Sequence, residues 1–190
     1  MPIAQRFEEG VSRKRALASM AVASIEKGST VFLDNGSTNL AVAERLPQGY
    51  DLLVATGSIA IAALLQKRDD IDLMMIGGAV DRVIGGAIDG TALKAVARLN
   101  IDLCVLGACA LSARGGLSAF ETADADFKRA LLARSSGAIV LATNEKLGLC
   151  APQRIAPVDA VDRIIVEHDA SPDAERELAS AGATIIRARV

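Results

Sequence analysis

The residues of this chain best suited to chemistry are small and polar, and they follow apolar runs. The segment Thr30-Val-Phe-Leu-Asp34-Asn-Gly36-Ser37-Thr38-Asn39 passes from a buried-strand pattern into a tight turn, and a helical pattern opens at Leu40. Unpaired backbone N–H groups at such a junction, with the helix dipole behind them, favour an anion. Asp34 can accept hydrogen bonds from a polyol. Ser37, Thr38 and Ser58 can donate to phosphate oxygens, and Lys128 and Lys146 add positive charge. Thr56 heads a second polar turn that ends at Ser58, and Gly77-Gly78 would allow a backbone to approach a ligand closely. Together these groups suit a phosphorylated sugar. Plainer readings stand beside each: Ser37 and Thr38 as helix N-caps, Asp34 as a turn cap, Lys128 on a solvated helix face, and Gly77-Gly78 as a bare turn.

The elements that must position these residues alternate. Residues 13–27 carry Leu17, Met20, Ala21 and Ile25 at helical spacing, with Gly28 placed to end the helix. Strands are expected over 30–34, 51–56, 71–76, 101–106, 138–142, 163–167 and 184–188. Helices are expected from Leu40 to a stop at Pro47, and over 58–67, 91–98, 122–134 and 172–180. Residues 79–90, with Gly85, Gly86 and Gly90, read as an irregular hairpin or flap. Residues 107–120 and 143–157 read as long loops. Seven continuous apolar strands interleaved with helices predict an α/β fold, a mostly parallel sheet with helices on both faces. In such sheets ligands sit beyond the carboxyl ends of the strands, where every one of the polar turns above would emerge.

Composition narrows the partners. The chain has 190 residues, 51% of them hydrophobic and only 3% aromatic, enough for one domain with an aliphatic core. A formal net charge of −2 lacks the basic footprint that contact with nucleic-acid phosphates requires. Cys104, Cys109 and Cys150 have neither an even count nor zinc-ligand spacing, so a reduced, cytoplasmic setting and no metal are expected. Cys104 reads as core and His168, the single histidine, as a surface residue. No apolar run is long enough to span a membrane.

Several ordered segments carry a resemblance: TVFLDNGSTNLAVAERL, VATGS from residue 54, MIGGAV from residue 75, DLCVLGACALSARGGLS from residue 102 and DFKRALLARSSGAIVLATNEKLG from residue 126. From about Arg13 to Val190 the chain resembles the C-terminal effector-sensing domain of DeoR-family transcriptional repressors. The resemblance implies the fold shared with ribose-5-phosphate isomerase and CoA-transferase-like enzymes. It also implies a phosphorylated sugar or related metabolite as ligand, no cofactor, homo-oligomers, and DNA contact only through a helix-turn-helix domain. About a dozen residues precede Arg13. Residues 1–12 are therefore expected to be a linker remnant, residues 13–190 the sensing domain, and the helix-turn-helix to be absent from this chain.

Two departures from the family pattern stand out. Thr56-Gly57 replaces a common Thr-Asn, and Thr143-Asn144-Glu145-Lys146-Leu147-Gly148 replaces Asp-Ser-Ser-Lys-Phe-Gly, keeping the lysine and the glycine. The enzyme alternative fares worse. Isomerases of this fold carry Asp-Gly-Ala-Asp-Glu where this chain has Leu106-Gly107-Ala108-Cys109-Ala110, so the carboxylates for proton transfer are missing there and no catalytic residue is expected. A third reading, an oligomerisation domain with no small ligand, would leave the polar turns without a task.

Overall fold

The computed structural model describes residues 3–189. Two helices, α1 (Ile3–Glu8) and α2 (Val11–Val22), precede β1 (Thr30–Leu33), α3 (Ser37–Ala43), β2 (Leu52–Thr56), α4 (Ile59–Leu65) and β3 (Ile71–Met75). A short hairpin of β4 (Val80–Asp81) and β5 (Gly86–Ala87) leads to α5 (Gly90–Val96) and β6 (Ile101–Gly107). The chain continues through β7 (Ala110–Ser112), β8 (Gly116–Ala119), α6 (Thr122–Arg134), β9 (Ser135–Ala142), β10 (Gln153–Ala156), β11 (Arg163–Val166), α7 (Pro172–Ser180) and β12 (Ile185–Arg187).

Seven strands form one sheet in the order β12-β11-β9-β6-β1-β2-β3, and every pairing in it is parallel. They are the seven segments whose apolar runs predict strands. Side chains alternate between the two faces along each strand. Phe32, Cys104, Leu106, Val140 and Ile164 pack on one face with Val96, Phe127, Leu131 and Leu178 of α5, α6 and α7. Val31, Leu33, Val54, Val105, Ile139 and Ile165 pack on the other with Leu17, Val42, Ile61 and Leu65 of α2, α3 and α4. Both faces are therefore dry over the central strands, which is why those segments read as apolar runs, while the edge strands β3 and β12 are partly exposed. Phe32 and Phe127 meet edge to face, with ring centroids 6.0 Å apart, and fasten α6 beneath β1.

Three expectations are corrected. Residues 107–120 and 143–157 are not plain loops: β7, β8 and β10 form a second, antiparallel sheet in the order β10-β8-β7. The tight turn into β8 depends on Gly116, at φ +68, where a methyl group would run into the Ala156 carbonyl. Residues 3–8, expected within a linker, are the helix α1. It is docked by Arg6 Nη2 donating to the Val83 carbonyl at 2.8 Å and by Ile3 lying against Gly85. The first long helix begins at Val11 and ends at Val22, short of the expected Lys27.

Candidate functional site

β1 and β6 are neighbours at the place where the chain reverses its progress across the sheet, with β2 and β3 on one side and β9, β11 and β12 on the other. Loops leaving the carboxyl ends of such a strand pair diverge and open a crevice. A cavity of about 400 Å³ lies there. Its walls are residues 35–39 after β1, residues 107–109 after β6, Leu141 and Thr143 at the end of β9, and side chains of α1, α2 and α6.

The floor is a buried ionic cluster. Lys128, on α6, places Nζ 2.6 Å from Asp124 Oδ1 one turn earlier on its own helix and 2.9 Å from Asp34 Oδ2 at the end of β1. All three side chains are almost fully buried. The Gly107 amide also donates to Asp34 Oδ2, at 3.3 Å. Burial first, then the neighbouring Asp124 charge, pushes the Asp34 carboxyl above its usual range against the pull of Lys128. Burial opposes the Lys128 charge, but the Asp124 and Asp34 carboxylates outweigh it and hold the ammonium well above the ordinary lysine value. Cys109 Sγ donates to Asp124 Oδ2 at 3.3 Å, and burial pushes this thiol up to about 11. A neutral thiol at pH 7 is no activated nucleophile.

The mouth is lined by longer charged side chains. Lys14 is buried, its ammonium donating to the Arg6 carbonyl in α1 and to the Glu9 carbonyl just after it, so it secures that helix while lining the cavity. Burial lowers its pKa, with Glu145 and Glu9 opposing. Arg13 Nη1 lies 2.8 Å from Glu167 Oε2, whose other oxygen accepts from the Asn144 amide at 3.3 Å. That carboxylate thus ties α2 to the turn bearing Lys146. Burial raises the Glu167 pKa, against the pull of that amide and of Arg13.

Of the residues expected from sequence, Gly36, Ser37, Thr38, Asn39, Lys128 and Lys146 line the cavity, and Asp34 lies beneath it through Lys128. Ser37 and Thr38 are not N-caps: the cap is Gly36, at φ +133, and no side chain closes the helix start. Lys128 is not on a solvated face, and Asp34 does more than cap a turn. Thr56, Ser58, Gly77 and Gly78 do not line the cavity, because β2 and β3 lead away from the β1 and β6 crevice. Thr56 Oγ1 donates to the Leu33 carbonyl at 2.7 Å, and Ser58 Oγ caps α4 by accepting from the Ile61 amide at 3.4 Å. Gly78, at φ +149, makes room for Asp89, which caps α5 through the Ala92 amide at 3.1 Å. Residues not foreseen are Arg6, Arg13, Lys14, Asn35, Asp124 and Glu167. Asn35 lies in the turn after β1, Glu167 follows β11 directly, and Asp124 precedes Lys128 by one helical turn, so both signals were present in the sequence.

Residues 9–168 match the family described as the DeoR C-terminal sensor domain. The chain belongs to that family. It is 29% identical over 182 residues to the HTH-type transcriptional regulator GlpR of Haloferax volcanii, covering 96% of this chain and 71% of that protein. With the glycerol-3-phosphate regulon repressor of Escherichia coli it shares 27% identity over 154 residues, 81% of this chain and 61% of that one. The sensor domain therefore spans about three fifths to seven tenths of the length of these relatives. Among solved structures, the probable sor operon regulator of Shigella flexneri is similar in fold, with TM-score 0.55, 15% identity and coverage of 90% and 89%. Ribose 5-phosphate isomerase A of Neisseria gonorrhoeae follows with TM-score 0.50, 17% identity and coverage of 72% and 53%. The sequence relatives are transcriptional regulators and not enzymes, and the likeness to the isomerase is one of fold. No helix of the described residues is long and apolar enough to cross a membrane.

Proposed function

We propose that the cavity receives a phosphorylated sugar or related metabolite, and that its occupancy controls DNA binding by a helix-turn-helix domain attached to this sensor in the cytoplasm. The single observation that carries the reading is the junction of two chemistries in one cavity at the switch point of the sheet. Donor groups and cations for a phosphate come from residues 36–38, Lys14 and Lys146, and buried polar groups for a hydroxylated chain come from Asn39 and Lys128, the latter held from beneath by Asp34. Ligand binding would act by favouring one arrangement of domains or subunits over another, to the extent that the two arrangements differ in affinity for it. Self-association belongs to the same proposal, and the exposed Met74, Met75, Val80 and Val83 on and beside the edge strand β3 are apolar side chains suited to it.

Thermal-shift measurement with a panel of sugar phosphates, the free sugars and inorganic phosphate tests the reading. Selective stabilisation by a phosphorylated compound is expected. A well-folded sample that responds to no phosphate would instead favour an oligomerisation domain without a ligand.

A further inference from the structure

Two buried carboxamides belong to residues bordering the cavity and have no hydrogen-bond partner in the protein. Asn35 is 6% exposed and Asn39 is fully buried, both line the cavity, and neither the oxygen nor the nitrogen of either side chain has a hydrogen-bond partner. Asp34 Oδ1, directly before Asn35 in the chain, is also without one. Buried polar groups are ordinarily paired, because the lost hydration is otherwise unrecovered. Glycines make the room. A methyl group at Gly107 would sit 3.6 Å from Asn39 Nδ2, and one at Gly86 would overlap Asn35 Oδ1.

We propose that Asn35 and Asn39 form a hydroxyl-reading subsite that determines which effector the sensor accepts. The inference rests on the reading of the cavity as a sugar-phosphate site and adds the orientation and specificity of the ligand. A carboxamide offers an acceptor and a donor group side by side. A hydroxyl group both donates and accepts, so neighbouring hydroxyls on a carbon chain answer both halves. Phosphate oxygens at neutral pH mostly accept and an ammonium only donates, so each would leave half of every amide unpaired. The adjoining floor carries two carboxylates, Asp34 and Asp124, against the one Lys128 ammonium, which disfavours an anion at this end. The hydroxylated chain therefore points inward to Asn35 and Asn39, and the phosphate outward to Lys14 and Lys146.

The test is calorimetric titration of the wild type, Asn35→Ala and Asn39→Ala with matched pairs: ribose 5-phosphate against 2-deoxyribose 5-phosphate, and glycerol 3-phosphate against n-propyl phosphate. Inorganic phosphate and free ribitol complete the set. The wild type is expected to prefer the hydroxylated member of a pair by about tenfold or more, since a site built on hydrogen bonds rejects a ligand that leaves them unmade. Each variant should lose most of that preference, keep its affinity for inorganic phosphate within about twofold, and melt close to the wild type, because the desolvation cost of an unpartnered buried amide offsets the packing lost on truncation. A preference that survives both substitutions would overturn the subsite. So would variants that melt several degrees lower, which would mark the amides as structural. If the wild type binds phosphate esters without distinguishing the pairs, the subsite falls and the sugar-phosphate reading stands. If ribitol binds in an Asn39-dependent way while no phosphate does, the reverse holds, and binding of neither removes both.

Discussion

Lys128 Nζ lies 2.9 Å from Asp34 Oδ2, joining helix α6 to the loop after β1 with both side chains withdrawn from solvent. The same ammonium holds Asp124 at 2.6 Å. Two carboxylates thus depend on one cation, and the cation fixes the relative position of the two elements that floor the cavity. A buried pair of this kind is weak evidence for net stability over an apolar equivalent, but removing one partner is costly.

Lys128→Met should therefore destabilise the domain by about 3–5 kcal/mol at pH 7, seen as a lower urea midpoint. Adding Asp34→Asn to that variant should return part of the loss, because one uncompensated buried charge is gone. Equal midpoints for the single and double variants would contradict a role for the pair.

The Asp34 carboxyl supplies a pH signature of the opposite sign to an ordinary salt-bridged aspartate. Its folded pKa is raised by burial, so the folded state binds this proton more tightly than the unfolded chain does. The stability it contributes is fully present below the unfolded value and is lost as pH rises through the folded one. Asp34→Asn should remove that slope, and the variant should gain on the wild type as pH is raised from about 4 towards 7. Parallel stability profiles for the two proteins would refute the shift.

The central strands were legible because they are dry on both faces and so appear as apolar runs, and the edge strands β3 and β12 were legible from their apolar content although they are partly exposed. The site was only half legible. Gly36 to Asn39 follow β1 and were readable from the strand-turn-helix junction, but Thr56, Ser58, Gly77 and Gly78 satisfy the same local rule and lie elsewhere. Strand order decides between them, and order is a property of pairings between distant segments that no local pattern encodes. The same limit hid the Lys128 and Asp34 contact, whereas the Asp124 and Lys128 spacing of one helical turn was there to be read. α1 escaped notice because it is only six residues long, and a helix that short owes its stability to docking on other elements.

Cys109 and Cys150 should differ sharply towards a thiol-alkylating reagent. Cys109 is half-buried, donates to Asp124 and has its pKa pushed up to about 11, whereas Cys150 is exposed. At pH 7.5, Cys150 should label first and Cys109 at least about tenfold more slowly by peptide mass spectrometry. Comparable rates would mean that the Cys109 environment is wrongly described.

Glycine substitutions beside Asn35 and Asn39 should split into two classes. A methyl group at Gly86 would overlap Asn35 Oδ1 and come within 2.5 Å of the Gly57 carbonyl, so Gly86→Ala must displace the β4 and β5 hairpin. A loss of about 1–3 kcal/mol is expected, as for overpacking elsewhere. At Gly107 the same methyl group meets its nearest neighbours at 3.5–4.0 Å, which is ordinary contact, so Gly107→Ala should fold normally. It would narrow the cavity beside Asn39, and ligand affinity should fall while the melting temperature holds. The opposite assignment of the two effects would contradict the packing described for both glycines.

Arg13 and Glu167 give the last test, because their environments are so unequal. The Glu167 side chain is 1% exposed, while that of Arg13 is 49% exposed. Arg13→Ala leaves the carboxylate buried with the Asn144 amide as its remaining partner, and the turn carrying Lys146 loses its tie to α2. Half of the cation is already in water, so the expected cost at pH 7 is about 1–2 kcal/mol and not the full penalty for breaking a buried pair. Burial already raises the Glu167 pKa, and removal of Arg13 raises it further. The stability linked to a raised carboxylate is present at low pH and lost as pH rises, so the deficit of Arg13→Ala should shrink towards pH 5 and widen towards pH 8. Glu167→Gln in the same background should abolish that pH dependence. A deficit that stays constant from pH 5 to 8 would place the cost of losing Arg13 in packing and not in the charge of Glu167.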